Sequence, residues 1–343
     1  MVSAGWLWGA LVGVLGVAQA GEPVARWERF VAQPAEAQML WCGMAPLRVV
    51  PVGPALQLEF GGETRVVVPA RSASGARYTA LGGDATEFWN KGEQTELTWD
   101  GVAWPTCAPE GAVITPFRAS GNEPFWQVRY DGWTITLTTP DGSSAPLEAE
   151  VTERSASGTV IRAKGTAPLG AAAAGAPVVA GNAGGTPPVT FTVQPGLCSD
   201  SMTGMPHPAT VTLAQSGQSW QGCGGDPARL LQGADWQIER LNGAPVLANT
   251  APTVQFWPDN RVSGQSGCNR FVGGYALTGE GLQLQPLAGT RMACDDAVLN
   301  QEIALLKVLQ AVQAFERPTG TTLVLRGPDG EIVARLPEPL ARP

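Results

Sequence analysis

The stretch Leu97-Thr-Trp-Asp-Gly-Val-Ala-Trp104 decides the fold. Leu97 and Trp99 alternate with a polar neighbour, so one face of an extended segment is apolar. Asp100-Gly101 is a two-residue turn that tolerates positive φ, and it returns the chain through Val102 and Trp104 as a hairpin. The same period appears upstream. Leu56, Leu58 and Phe60 alternate with polar partners, and Arg65-Val-Val-Val68 is a short β-branched run. Together these segments predict an antiparallel sheet or small barrel over residues 37–110.

Working outward, the pattern stays β-rich. Trp133, Ile135 and Leu137 alternate with threonines up to Pro140-Asp-Gly142, and strand signals return at Val189–Val193 and Thr210–Leu213. They outline a second β-rich unit over 112–226. Residues 167–188 are an uncharged Ala/Gly/Pro stretch that can bury little side-chain surface, and it reads as a flexible insertion. A third unit over 231–340 has a strand at Val254–Trp257, a turn at Pro258-Asp-Asn260 and a closing hairpin around Pro328-Asp-Gly330. Its one helix follows Asp295-Asp296. Val298, Leu299, Ile303, Leu306, Leu309 and Val312 are its expected apolar face, and the two aspartates its expected cap. The fold class is therefore mostly β: a small antiparallel barrel, a second β-rich unit, and a β-rich α+β unit with one packed helix.

Bulk properties narrow the function. Residues 1–20 are uncharged and mostly apolar and small, and Ala18-Gln19-Ala20 fits a secretory cleavage site. A cleaved signal peptide is expected. The rival, a membrane anchor, is short for a span and interrupted by Gly9, Gly13 and Gly16. A residue lead-in follows over 21–36, with a short helix around Arg26–Val31. Six cysteines suit an exported protein. They allow many connectivities, but one pair falls in each unit, which favours Cys42 with Cys107, Cys198 with Cys223 and Cys268 with Cys294. Each bridge would contribute about 2–4 kcal/mol. No Cys-x-x-Cys occurs and the single histidine, His207, sits between two prolines in an expected solvated loop, so neither a metal nor another cofactor is expected. The net charge of −8 argues against nucleic acid and suits a basic partner. The signal and the cysteines together make the periplasm or the outside of the cell the expected location, with no membrane span expected after signal cleavage.

The chemistry-bearing residues lie between Cys42 and Cys107. Ser72-Ala-Ser-Gly-Ala-Arg-Tyr78 is a polar turn, and Phe88-Trp-Asn-Lys-Gly92 is a second turn that ends on a lysine. Gly75 and Gly92 let the chain bend tightly beside Ser74 and Lys91. A Ser-Gly-x-x-Tyr turn followed by an aromatic-x-x-Lys-Gly turn resembles the MliC/PliC inhibitors of C-type lysozyme, over about 70 residues. That resemblance implies a small antiparallel barrel with a bridge near its ends. It also implies that Ser74 and Lys91, with Tyr78 close by, bind the lysozyme, a basic protein. Ser72 is the alternate serine. Tyr78, Phe88 and Trp89 either brace the turns or touch the enzyme. The spacer from Tyr78 to Phe88 is longer than the family's, Thr95 stands where the family has alanine, and Glu87, Glu93 and Glu96 flank Lys91.

Ser263-Gly-Gln-Ser-Gly-Cys-Asn-Arg-Phe271, Gly274-Tyr275, Thr290-Arg-Met-Ala-Cys294 and the helix with Gln301-Glu302 resemble the META/HslJ domain family of bacterial envelope proteins. That family implies a fold and an envelope setting but no reaction. Asn269 and Arg270 are a candidate polar site there, with a bridge-held turn as the alternative. Gly121-Asn-Glu-Pro-Phe-Trp126, Cys198-Ser-Asp-Ser-Met202 and Gly222-Cys-Gly-Gly225 resemble an uncharacterised envelope domain. Glu123 and Asp200 are a candidate carboxylate pair, with surface or capping roles expected instead. No Gly-x-Ser-x-Gly, Walker loop or zinc motif appears, so enzyme activity is not expected. The functional expectation is inhibition of C-type lysozyme. The alternative is an envelope-stress or small-ligand-binding protein built from three β modules.

Overall fold

Alternation along the chain is translated directly into burial. Leu56, Leu58 and Phe60 point inward with Leu47, Val67, Phe88 and Leu97, while the polar residues between them face out. The computed structural model describes residues 36–140, 142–164 and 188–337. The expected signal peptide, the helix around 26–31 and nearly all of the 167–188 insertion lie outside the described residues.

The first sheet contains β1 (Gln38–Cys42), β2 (Ala45–Val52), β3 (Ala55–Phe60), β4 (Glu63–Ala70), β5 (Ala76–Ala80), β6 (Glu87–Lys91), β7 (Gln94–Trp99), β8 (Val102–Ala103) and β9 (Cys107–Ala108). Every pairing between them is antiparallel. Starting from β6, the order runs through β5, β4, β3, β2, β1 and β9 to β7, and a β6–β7 pairing closes the ring. Closure removes both sheet edges, the sites where unpaired backbone groups would otherwise face water. The Asp100-Gly101 turn forms as expected. Both residues have positive φ and Trp99 pairs with Val102. Cys42 and Cys107 face each other across β1 and β9 and are bridged.

The second sheet closes in the same way, from Phe117–Asn122 round to Gln218–Gly224, with a pairing between Phe125–Tyr130 and Thr134–Thr139 completing the ring. Trp126, Ile135, Leu137, Ile161, Phe191 and Leu213 fill it. Cys198–Cys223 ties its strands together. His207 lies within the strand Pro206–Gln215 rather than in a solvated loop. It is half-buried, with Nδ1 3.0 Å from Gly225 O. The prolines on either side do not break the strand, because the ladder on that side is interrupted by a bulge between Pro195 and Cys198.

The third sheet is nearly closed. Strand Gly281–Leu284 lies at one end of the order and Ala314–Thr319 at the other, and Leu282 N donates to Gln313 O (2.9 Å) across the gap. Helix α1 (Asp296–Gln310) packs over this barrel. Two expectations about α1 are corrected. Of the expected apolar face, Leu309 and Val312 are buried and Val298 and Leu306 half-buried, but Leu299 and Ile303 are exposed, and Glu302, Leu305 and Val308 complete the buried stripe. The inward stripe passes through a glutamate, so apolarity alone misplaces its N-terminal half. Asp295 occupies the N-cap position, but its side chain makes no capping hydrogen bond, which leaves it and Asp296 a dipole role only.

The barrels meet through specific polar contacts. Met44 N donates to Gln232 O (2.8 Å), and Arg229 reaches Thr106 O (2.7 Å) and Trp41 O (3.2 Å), joining the first barrel to the third. Trp104 packs edge-on to Trp257 at the same junction. The second barrel touches the first at the β6–β7 turn.

Candidate functional site

The two polar turns lie side by side at one end of the first barrel because β5 and β6 are paired. Ala76 is opposite Asn90, so the chain just before β5 and the end of β6 leave the sheet together. Contact between them is tight. Gly75 has φ +66°, and a Cβ there would fall 2.1 Å from Asn90 O, so only glycine fits. Gly92 (φ +83°) opens the two-residue turn Gly92–Glu93 between β6 and β7.

Trp89 joins the turns. Its Nε1 donates to Ser74 O (2.9 Å), and Lys91 Nζ sits 3.7 Å from the centre of its ring. Ser72 and Ser74 tie the first turn to itself: Ser74 N donates to Ser72 Oγ (3.3 Å), and that hydroxyl donates to Ser74 O. Both serines and Lys91 are exposed. Lys91 also donates to Glu96 Oε1 (2.6 Å). The other two flanking carboxylates are engaged elsewhere: Glu87 is held by Arg77 at 2.8 and 2.6 Å, and Glu93 pairs with Arg154 of the second barrel. One acidic neighbour, not three, therefore offsets the lysine.

Below the turns the barrel is packed. Tyr78 is 4% exposed and lies edge-on to Phe88 at 6.1 Å, and burial pushes its phenol pKa up. Tyr78 and Phe88 thus brace the turns from inside, whereas Trp89 is half-exposed and forms part of the surface. Asn90 and Thr95 are buried, with Asn90 Nδ2 donating to Thr95 Oγ1 (3.2 Å). The threonine that departs from the family's alanine therefore accepts from the Nδ2 end of a buried amide. The long Tyr78–Phe88 spacer folds back on itself. Ala80 N donates to Thr86 O (3.0 Å), which closes the spacer as an outward loop and keeps Tyr78 opposite Phe88. Arg65 pins that loop through Asp84 (3.1 Å) and Thr86 (2.5 Å).

The other candidates resolve into structural roles. Asn269 is buried and fully occupied. Its N and Nδ2 donate to Glu302 (3.1 and 2.9 Å), and its Oδ1 accepts from Thr290 Oγ1 (2.8 Å) and Met292 N (2.7 Å). This knot fastens the Cys268–Cys294 loop to α1, while Arg270 points out to solvent. Asp200 accepts from Asn122 Nδ2 (3.1 Å), Met202 N (3.0 Å) and Thr203 N (2.8 Å). Burial alone would raise its pKa, but the bonds from Thr203, Asn122 and Met202 outweigh it and hold the carboxyl below the ordinary range. It organises a turn, and Glu123 is exposed.

Comparison with known proteins agrees with these two ends of the chain. Residues 42–103 match the family described as membrane-bound lysozyme-inhibitor of c-type lysozyme, and residues 229–339 match the META domain family. Among solved structures, the chain is similar to a protein from Burkholderia xenovorans determined by NMR. That protein is 25% identical, the match covers 33% of this chain and 89% of the other, and the TM-score is 0.28. A second NMR structure is 28% identical over 31% of this chain and 91% of the other, with a TM-score of 0.27. No functionally curated protein matches the chain.

Proposed function

We propose that this protein inhibits C-type lysozyme by placing the Ser74 and Lys91 turns in the enzyme's catalytic cleft, and that it acts in the periplasm or outside the cell to protect the bacterial wall. The observation that carries the reading is the pairing of these two exposed turns on one barrel end, inside the segment that matches the inhibitor family. A lysozyme cleft holds one protonated and one ionised carboxyl. Lysine offers three donors and a compact charge to such a pair, and serine can both donate and accept. The Trp89 bracket and the Gly75–Asn90 contact hold both groups before binding, which lowers the ordering cost of association. Three disulfides support an extracytoplasmic setting.

A second reading, a small-ligand-binding envelope protein, has one observation in its favour. A cleft of about 1090 Å³ lies where the three barrels meet, lined by Trp104, Pro116, His207, Arg229 and Tyr275 among others. The test is a lysozyme lysis assay with the oxidised full chain beside its Lys91→Ala variant. Inhibition by the parent and its loss in the variant are expected. Equal inhibition by both would remove the mechanism, and a folded parent that does not inhibit would remove the function and favour the cleft.

A further inference from the structure

The turn that carries Lys91 is held by the second barrel. Glu93 pairs with Arg154. The Gln94 side-chain amide, oriented to satisfy both of its ends, donates to Thr115 O (3.1 Å) and accepts from Thr115 N (3.1 Å). Between the two barrels runs a groove of about 840 Å³, lined by Lys91, Glu93 and Asn90 on one side and by Asp131, Trp133 and Arg154 on the other. Asn90 is 1% exposed, and its Oδ1 has no partner among the described residues.

Trp133 lies on the far wall and is 71% exposed. Its backbone is fixed. Asp131 Oδ1 accepts from Trp133 N (2.8 Å) and Thr134 N (2.7 Å), Asp131 Oδ2 accepts from Thr134 Oγ1 (2.8 Å), and Trp133 O accepts from Ala149 N (2.7 Å). A large aromatic side chain held out from a rigid turn is the kind of group that anchors protein interfaces, because it buries much area while losing little entropy. The neighbouring strand Leu147–Ser155 presents Glu148, Glu150 and Glu153 to solvent beside the exposed Arg154, Arg162 and Lys164, with Glu150 paired to Lys164 (3.7 Å), so this flank is polar and of mixed charge.

We infer that the surface that receives lysozyme extends from the Ser74–Lys91 turns across the groove onto the second barrel, with Trp133 as a second anchor. This rests on the proposed function of the first barrel and assigns its neighbour a part in the same complex. The enzyme body flanking the cleft would cover Trp133 while Lys91 enters the cleft.

The experiment titrates the oxidised full chain, Trp133→Ala and Lys91→Ala into lysozyme and reads both the inhibition constant and the thermal melt. Trp133→Ala is expected to weaken inhibition about tenfold or more with the melt unchanged. A Trp133→Phe variant should recover part of that loss, as an aromatic anchor requires. Inhibition by Trp133→Ala equal to the parent, with Lys91→Ala impaired, would overturn the extended surface and leave the first barrel's function standing. A folded parent that does not inhibit at all would overturn both.

Discussion

The Ser74–Lys91 turns and the Asn269–Glu302 knot are both polar groupings set beside a disulfide-closed unit, and their chemistry is opposite. Asn269 uses its backbone N–H and both ends of its side chain on internal partners and is buried. Lys91 is exposed, bonds Glu96 alone among the described residues, and rests on Trp89. A satisfied, buried polar cluster fixes a fold, because removing one partner strands the others without water. An exposed donor held on a rigid tip retains the capacity to bond something else. The degree of internal satisfaction, rather than the residue type, separates the scaffold from the binding surface.

That contrast can be broken by substitution. The largest effect is expected at the turn: Lys91→Ala should weaken lysozyme binding by about 2–5 kcal/mol while the melt stays put, as read by calorimetric titration. At the knot the pattern should invert. Glu302→Ala leaves Asn269 N unpaired and its Nδ2 with only the long contact to Cys294 Sγ (3.9 Å), and should cost about 2–4 kcal/mol of stability with inhibition intact, measured by denaturant unfolding beside a lysis assay. A loss of inhibition there at unchanged stability would mean that the knot is not scaffold.

Gly75→Ala sharpens the comparison because it should do both. The new Cβ meets Asn90 O at a positive φ, so about 1–3 kcal/mol of destabilisation and weaker inhibition should appear together. The smallest effect concerns acid. Hydrogen bonds from Thr134 N, then from Trp133 N and Thr134 Oγ1, hold the Asp131 carboxyl below the usual range. A folded value below the unfolded one means that this turn's stabilisation is complete above about pH 4 and fades as pH falls through the folded value. The Trp133 indole resonance should therefore stay fixed through neutral pH and move only in acid. A transition near neutrality would sink that assignment.

Much of the fold could be read from local pattern. Leu56, Leu58 and Phe60 alternate, Asp100-Gly101 turns, and each element forms where its neighbours along the chain require it. The two family resemblances rest on contiguous motifs and are matched at both ends of the chain. What escaped the sequence depends on partners far apart in the chain. Glu302 interrupts the apolar stripe of α1, and its burial makes sense only once Asn269 is beside it. The Trp89 bridge to Ser74 O follows from the β5–β6 register, which alternation does not fix. Trp133 read as one residue of an alternating strand, whereas it lies in the turn before Thr134–Thr139, and its place across the groove from Lys91 depends on how the two barrels meet, which leaves no local trace.

The most direct measurement of the central claim is a competition. The oxidised full chain is titrated calorimetrically into C-type lysozyme, alone and with its cleft filled by an N-acetylglucosamine oligomer. Occupation of the cleft by the Ser74 and Lys91 turns predicts binding to the free enzyme, with apparent affinity falling in proportion to oligomer occupancy. Binding that ignores the oligomer, or no binding by the folded chain, would contradict the account.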